Sequence, residues 1–219
     1  MINVIPDPDT GKIIQIQYQH NNYEKEIEVY VAVVTNNNNP GNVGTILETY
    51  RKMSSGADSD AETYFKQKQT LITKYIGRTS ISFLNFTPDH IICFFPNDVN
   101  RHNILKLFLE KITKIYNNRV DIDFSNSFVK NDPKKSIKEG LTAEDYNLVL
   151  KDNTPLIKSL LIIDDVIDTG DTINIYLTKL FEKGFINNDT VIKVACIYNN
   201  AKTIKKENVL EALKKSNPK

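Results

Sequence analysis

The chain has 219 residues, enough for one α/β domain with a sizeable core. Its 28 basic and 27 acidic residues leave a formal net charge of +1, which gives no electrostatic basis for binding nucleic acid or a membrane surface. Hydrophobic residues make up 40% of the chain, an ordinary value for a globular protein.

Two features of the sequence concern the compartment. The first residues lack the basic end and apolar stretch of a signal peptide, and no apolar run is long enough to cross a bilayer. Cys93 and Cys196 lie in apolar runs without a C-x-x-C pair, so buried thiols are favoured over a disulfide or a metal site. We therefore expect a cytoplasmic protein.

The first 87 residues predict a β-hairpin followed by helices. Residues 12–19 and 26–34 alternate apolar and polar side chains and flank an Asn-rich turn, a pattern typical of a hairpin. We expect this antiparallel hairpin to lie outside the main sheet. Apolar spacing then predicts a short helix over residues 46–53 and a longer one over residues 60–75, with Gly77 as its stop.

From residue 88 onward, strands alternate with helices. The predicted strands are residues 90–95, a segment within 120–129, the run from 160, and 191–198; the predicted helices are 104–116, a segment from 173 to about 183, and 205–215. This alternation predicts an α/β fold, a doubly wound parallel sheet with a hairpin and helical extension in front. The expected division is residues 1–87 and 88–219.

Residues 130–145 form a polar, charged stretch with few apolar anchors, K-N-D-P-K-K-S-I-K-E-G-L-T-A-E-D. Such a stretch inside a compact domain is either a mobile loop or a functional lid. Its cations include Lys130, Lys134, Lys135 and Lys138. Lysines of an ordinary solvated loop explain the same composition, so the pattern leaves both interpretations open.

The most informative stretch is residues 160–172, L-L-I-I-D-D-V-I-D-T-G-D-T. Its four apolar residues predict a strand buried on both faces, which stops at Asp164 and Asp165. We expect these two side chains to reach solvent or a ligand at the strand end. A strand followed by acids, a small-residue loop and a helix is typical of a ligand site at the carboxyl end of a parallel strand.

The residue types in this stretch suit a ribose phosphate. Adjacent carboxylates can hold vicinal hydroxyls or a hydrated Mg²⁺ ion, which prefers oxygen ligands. Gly170 lets the backbone approach an anion closely, while Thr169 and Thr172 add hydroxyl donors. The following helix contributes free N–H groups and the positive end of its dipole. Groups that can bind a ribose diol or a metal ion and groups that can bind a phosphate therefore lie a few residues apart.

Three other interpretations compete for this stretch. A Walker B strand needs an upstream G-x-x-x-x-G-K-[ST] loop, and the single Gly-Lys pair, Gly11-Lys12, lacks both the first glycine and the Ser or Thr. A receiver-type acidic cluster does not continue into T-G-D-T. A buried strand followed by an acidic helix cap, without any ligand, stays open as an alternative.

The stretch resembles the signature with which type I phosphoribosyltransferases bind 5-phosphoribosyl 1-diphosphate (PRPP), and the likeness covers residues 88–200. The resemblance implies that Asp164 and Asp165 contact the ribose hydroxyls and, through water or ribose, Mg²⁺. It implies that a loop wraps the 5-phosphate; this loop consists of Asp168, Thr169, Gly170, Asp171 and Thr172. Asp168 matches an acid that assists proton transfer in purine-salvage members, so it is the candidate catalytic residue.

The resemblance also implies diphosphate contacts from the loop after the first core strand and from the lid. The candidates are Asn97, Arg101 and Lys130. Two departures concern the second substrate. The first loop lacks the glycine pair of the purine-salvage enzymes, and Asn199-Asn200-Ala201 stands where they carry a base-reading lysine and aromatic residue. Residues 1–87 are then the alternative source of a hood over the site.

Two functions follow from the resemblance. The first is an enzyme that transfers the 5-phosphoribosyl group of PRPP to a small nitrogen acceptor, a nucleobase in the first instance, with Mg²⁺ and release of diphosphate. The second is a non-catalytic sensor of PRPP or a nucleotide. Neither function involves nucleic acid or a membrane. The sequence does not identify the acceptor or the oligomeric state, and a homodimer is one option.

Overall fold

The computed structural model describes residues 3–5, 12–20, 23–35, 41–53, 60–81, 85–93, 99–116, 128–130, 143–148, 155–167 and 170–200. The described strands are β1 (Asn3–Ile5), β2 (Lys12–His20), β3 (Tyr23–Thr35), β4 (His90–Cys93), β5 (Phe128–Lys130), β6 (Tyr146–Leu148), β7 (Ser159–Ile167) and β8 (Val191–Asn200). The described α-helices are α1 (Gly41–Lys52), α2 (Asp60–Ile81), α3 (Val99–Tyr116) and α4 (Asp171–Glu182), and a turn of 3-10 helix spans Ala143–Asp145. The helix predicted at 205–215 lies outside these ranges.

Six of the described strands form one sheet in the order β1-β2-β3-β8-β7-β4. Strands β3, β8, β7 and β4 run parallel, with Val29 beside Val194, Val194 beside Ile162, and Ile91 beside Leu161. Helices cover both faces of this parallel part, as the two clusters of buried side chains show. The predicted α/β fold with a doubly wound parallel sheet is confirmed.

The amino-terminal hairpin is present, but its expected position was wrong. Strands β2 and β3 pair antiparallel from Lys12↔Val31 to His20↔Tyr23, as predicted. However, β3 also pairs in parallel with β8 and therefore lies inside the main sheet. The physical reason is the apolar end of β3, where residues 29–32 are all buried and need cover on both faces, as an inner strand provides. The sheet thus crosses the expected boundary at residue 88.

Two hydrophobic cores lie on opposite faces of the sheet. The first core joins α1, α2 and α3 to one face, and its buried members include Leu47, Ile76, Phe108, Leu161 and Ala195. The second core joins α4 to the other face, and its buried members include Ile162, Ile173, Leu177, Val194 and Cys196. The strands β7 and β8 contribute to both cores, which explains their continuous apolar runs.

Helix α2 continues beyond its predicted stop at Gly77 and ends at Ile81. A glycine inside a helix costs only about 1 kcal/mol relative to alanine, so tertiary contacts can override it. Here Ile76 and Thr79 are both buried, and the Thr79 hydroxyl donates to the Cys196 carbonyl over 3.3 Å. Contacts with β8 therefore hold the last turn of α2 in place. No helix in the described ranges is long and apolar enough to cross a bilayer.

Of the second strand predicted within 120–129, the structure describes only the end, which belongs to β5 in a separate ribbon. Strands β5 and β6 pair antiparallel, with Phe128 beside Leu148 and Lys130 beside Tyr146. The ribbon brackets the predicted lid, and residues 131–142, with Lys134, Lys135 and Lys138, lie outside the described ranges. The 3-10 turn that precedes β6 lies against α4. The polar stretch therefore begins and ends at one ribbon beside α4.

Candidate functional site

The acid pair lies inside β7 and is buried. The strand continues past the acids to Ile167, and Asp164 and Asp165 are 4% and 0% exposed. The expectation that the strand stops at the acids and that their side chains reach solvent was therefore wrong, whereas their contact with a ligand stays a prediction. The reason is that Val166 and Ile167 continue the parallel pairing with β8, opposite Tyr198 and Asn199.

The guanidinium of Arg101 contacts both acids. Arg101 lies in the first turn of α3, and its Nε donates to both carboxylate oxygens of Asp165 over 3.1 Å. Its Nη2 donates to Oδ1 of Asp165 at 2.5 Å and to Oδ1 of Asp164 at 3.2 Å. The Asp164 carboxylate also accepts the backbone N–H of Asp165 over 2.8 Å. These are charge-assisted contacts in a mostly dry environment.

The shape of β7 explains how one cation reaches two consecutive carboxylates. Successive side chains of a regular strand point to opposite faces. Before the acids, Ile162 packs in the second core and Ile163 in the first; after them, Val166 packs with the first core and Ile167 in the second. The alternation is therefore shifted by one residue across the acid pair, although the pairing with β8 stays in register. This shift lets both carboxylates approach Arg101.

Burial governs the protonation of the pair. Removal from water, together with the neighbouring charge of Asp165, raises the pKa of Asp164 to about 7, although Arg101 acts in the opposite direction. Burial acts to lower the pKa of Arg101, but the charges of Asp165 and Asp164 outweigh it and the pKa is raised. Burial and both acid charges raise the pKa of the nearby Cys93 thiol. The site therefore holds a permanent cation beside a pair that can retain a proton.

The acids and Arg101 lie where the chain leaves neighbouring parallel strands for opposite faces of the sheet. Strand β4 is followed by α3 in the first core, and β7 by α4 in the second core. Because the helices that follow β4 and β7 pack on opposite faces, we expect a crevice outside the carboxyl ends of these strands, the position where open α/β sheets bind ligands. The contacts between Arg101 on α3 and the acids on β7 lie at this crevice.

The start of α4 is the place where the sequence predicts the phosphate end of the site. Gly170 is buried and adopts φ 86°, a left-handed conformation that favours glycine. A Cβ atom at this position would lie 3.9 Å from Cδ1 of Ile16, so the hairpin approaches the loop here. The first intrahelical bond runs from the N–H of Asn174 to the carbonyl of Gly170 over 3.0 Å. The N–H groups of residues 171–173 consequently have no intrahelical acceptor.

Several predicted site residues are described in part or not at all. Asn97, Asp168 and Thr169 lie outside the described residues, as does Ala201. For Lys130, Asp171, Asn199 and Asn200 the description covers the backbone alone, and Thr172 lies in the first turn of α4. The residues that the structure brings together are thus Asp164, Asp165 and Arg101.

Asn100 is a contributor that the sequence did not reveal. It is 3% exposed, and its side-chain amide donates to the carbonyls of Tyr50 over 2.8 Å and Met53 over 3.0 Å. These acceptors lie at the end of α1, whose last carbonyl groups lack intrahelical donors. Asn100 therefore fixes the start of α3 to the end of α1, one residue before Arg101. No local sequence pattern marks this role.

The acid pair suits Mg²⁺ in donor chemistry, since carboxylate oxygens are the ligands that this ion prefers. The pair alone supplies few of the six ligands of an octahedral ion, and Arg101 lies against both carboxylates. Within the described ranges, no group of three or more His, Cys, Asp or Glu side chains could hold a metal ion. Water and substrate would have to complete the coordination.

No family model matches the chain, and no curated protein matches it. Among solved structures, the chain is similar to adenine phosphoribosyltransferase from Leishmania donovani, with 13% identity over 82% of this chain and 86% of that chain. The TM-score of this match is 0.33, a value too low to carry an argument about function. The fold described above rests on the topology of the sheet itself.

Proposed function

We propose that this protein is a cytoplasmic enzyme that binds PRPP with Mg²⁺ and transfers the 5-phosphoribosyl group to a nitrogen acceptor, in the first instance a nucleobase. The observation that carries the proposal is the acid pair at the crevice between β4 and β7, followed within six residues by Gly170 and the start of α4. This arrangement supplies groups for a ribose diol and for a phosphate in one continuous segment.

The reaction requires one bond to break and one to form at the anomeric carbon of the ribose. The C1–oxygen bond to diphosphate breaks and its electron pair leaves with the diphosphate, while the lone pair of the acceptor nitrogen forms the new C1–N bond. The proton of that nitrogen passes to a base, the role proposed for Asp168. Mg²⁺ neutralises part of the diphosphate charge when bound.

The residues of this chain then act chiefly by position and charge. Asp164 and Asp165 would hold the ribose hydroxyls or a hydrated Mg²⁺, and the N–H groups at the start of α4 would hold the 5-phosphate. Arg101 supplies a cation for the diphosphate, with Asn97 and Lys130 as further proposed contacts. Holding the two substrates in reactive geometry supplies a large part of the rate acceleration in reactions of this kind.

The covered acid pair favours a second candidate, a non-catalytic sensor of PRPP or a nucleotide. Both acids are buried under Arg101, so a ligand that takes them must rearrange this side chain. A site that opens on binding converts occupancy into a change of structure, which suits a regulator. The two candidates share the binding site and differ in whether an acceptor is turned over.

Calorimetry with PRPP and Mg²⁺, followed by assays of diphosphate release, tests both candidates. We expect PRPP to bind, and release to occur with one class among purines, pyrimidines and simple amines. Replacement of Asp168 by Asn should lower turnover by roughly 10²–10⁴ while changing PRPP affinity little. Asp189→Asn, in an exposed turn, is the control. Failure to bind PRPP would overturn the proposal, whereas binding without release with any acceptor would leave the sensor.

A further inference from the structure

We infer that Arg101 is a transferable counter-ion that competes with the ligand for the acid pair. In the free protein it pairs with Asp164 and Asp165, and it moves onto the diphosphate when a divalent cation or the ribose hydroxyls take the carboxylates. The inference rests on the proposed function for its second half, the transfer to diphosphate. The first half, competition with a cation, concerns the chain alone.

The contacts of Arg101 suit both positions. Its guanidinium meets Asp165 with Nε and Nη2 and meets Asp164 with Nη2, all at 2.5–3.2 Å. A planar guanidinium recognises carboxylate and phosphate oxygens with the same paired N–H groups, whereas an ammonium acts as a point charge. Arg101 can therefore exchange one oxyanion for the other without losing its hydrogen bonds.

The backbone beneath Arg101 is fixed, so the exchange requires movement of its side chain alone. Asn100 ties the start of α3 to the carbonyls of Tyr50 and Met53, and Ile104 is buried in the first core. The Arg101 side chain is 23% exposed, in contrast to 0% for Asp165. Arg101 is therefore the partner that solvent or a ligand can reach first, and the proposed exchange needs only a change of its rotamer.

The charges make the binding of cation and anion interdependent. Two carboxylates and one guanidinium give a formal charge of −1 when both acids are ionised, so Arg101 offsets one of the two negative charges that would attract a divalent cation. A cation that displaces Arg101 removes its contacts with the two carboxylates, and a diphosphate offers oxyanions that replace them. The two ligands must then strengthen each other's binding reciprocally, by linkage. Each ligand alone is expected to bind weakly.

The first test measures Mn²⁺ affinity of the ligand-free protein, by electron paramagnetic resonance or calorimetry, in place of Mg²⁺. Arg101→Gln should bind Mn²⁺ at least about tenfold more tightly than the wild type, a coupling of ordinary size. Lys106→Gln removes the same charge from an exposed position on the same helix and should stay within about twofold, because solvent screens surface charges. Equal or weaker Mn²⁺ binding by Arg101→Gln would overturn the inference.

The second test compares PRPP with ribose 5-phosphate, which lacks the diphosphate but keeps the vicinal hydroxyls. In Arg101→Gln, PRPP affinity should fall at least about tenfold while ribose 5-phosphate affinity stays the same or improves. An equal loss for both ligands would mean that Arg101 merely supports the site, and would overturn the inference. If the wild type binds neither ligand, the proposed function fails, and the Mn²⁺ comparison still decides whether Arg101 competes for the acids.

Arg101→Lys covers the case in which Arg101→Gln does not fold. Lysine keeps the positive charge beside the buried acids but replaces a four-contact fork with a point charge. Circular dichroism would first establish that this variant is folded. Its Mn²⁺ affinity should then exceed that of the wild type by roughly threefold or more, within the usual range of coupling between sites. An unchanged or weaker affinity would again contradict the role.

Discussion

Asp164 and Asp165 are neighbours of the same type, yet their surroundings differ. Asp165 is fully buried, and its carboxylate accepts hydrogen bonds from both Nε and Nη2 of Arg101, the latter at 2.5 Å. Asp164 meets Arg101 at 3.2 Å, and its carboxylate also accepts the backbone N–H of Asp165. Substitution of the two acids should therefore have unequal effects.

Asp165→Asn should destabilise the protein more than Asp164→Asn. Removing one partner of a buried ion pair costs about 3–5 kcal/mol when the other charge is left unpaired. Asp165 carries most of the contact with Arg101, which would keep only its 3.2 Å contact with Asp164, so the loss should lie below that range. Asp164→Asn should cost less, since Arg101 keeps Asp165. Urea unfolding at neutral pH gives both values, with Asp189→Asn as the surface control. Equal losses for the two variants would contradict the asymmetry.

The free energy of unfolding should depend on pH through the ionisation of Asp164. Its pKa is about 7 in the folded protein, against an ordinary value of 3.8, because burial and Asp165 disfavour the ionised form. This contribution to stability is complete below about pH 4 and is lost as the pH rises through 7. The loss should be on the order of 4 kcal/mol, because a tenfold change in an acid's ionisation constant corresponds to about 1.4 kcal/mol.

Urea unfolding between pH 4.5 and 8 measures this loss. The wild type should become less stable across the interval relative to Asp164→Asn, which cannot ionise at this position. Parallel stability curves for the two proteins would show that Asp164 does not titrate in this range.

Within single helices, replacing a glycine by alanine should change the stability in opposite directions at different positions. Gly170 at the start of α4 and Gly184 after its end both adopt positive φ, 86° and 72°. Replacement of either by Ala should cost about 1–2 kcal/mol, since a Cβ atom disfavours this conformation. Gly77 lies inside α2 with open space around it, so Gly77→Ala should stabilise by about 0.5–1 kcal/mol.

Measurements of ligand affinity should distinguish Gly170 from Gly184, although both have a positive φ. We expect Gly170→Ala to weaken PRPP binding, because this residue shapes the backbone that would hold the 5-phosphate. Gly184→Ala should leave the affinity unchanged despite a similar loss of stability in urea. Equal affinities in both variants would remove Gly170 from the proposed phosphate end.

The sequence predicted best those elements whose formation depends on residues close together along the chain. The run before Asp164 predicted a buried strand, and the spacing after Gly170 predicted α4, because periodicity and turn chemistry depend on near neighbours. The pairing of β3 with β8 and the contact of Arg101 with Asp165 join residues more than 60 positions apart. Local patterns do not specify which distant segments meet, so these contacts required the structure.

The whole molecule is built on a sheet that crosses residue 88. Strand β3 lies between β2 and β8, and α1 and α2 supply much of the first core. Residues 88–219 alone would expose one edge of β8 and the buried face that holds Ile91 and Leu161. We expect this fragment not to fold. Near-ultraviolet circular dichroism and urea titration test this, and a cooperative transition in the fragment would support the division at residue 88.

The reactivity of the two buried cysteines should report on local and global opening of the structure. The chain contains two cysteines, both buried: Cys93 lies in β4, the outermost of the described strands on its side of the sheet, and Cys196 in β8, between β3 and β7. A thiol reagent can modify each one only when its surroundings open. Cys93 should react faster, through fraying of the outer strand, and Cys196 at the rate of global unfolding. A ligand bound at the crevice should then slow modification of Cys93 first, so thiol kinetics would locate binding without any assay of turnover.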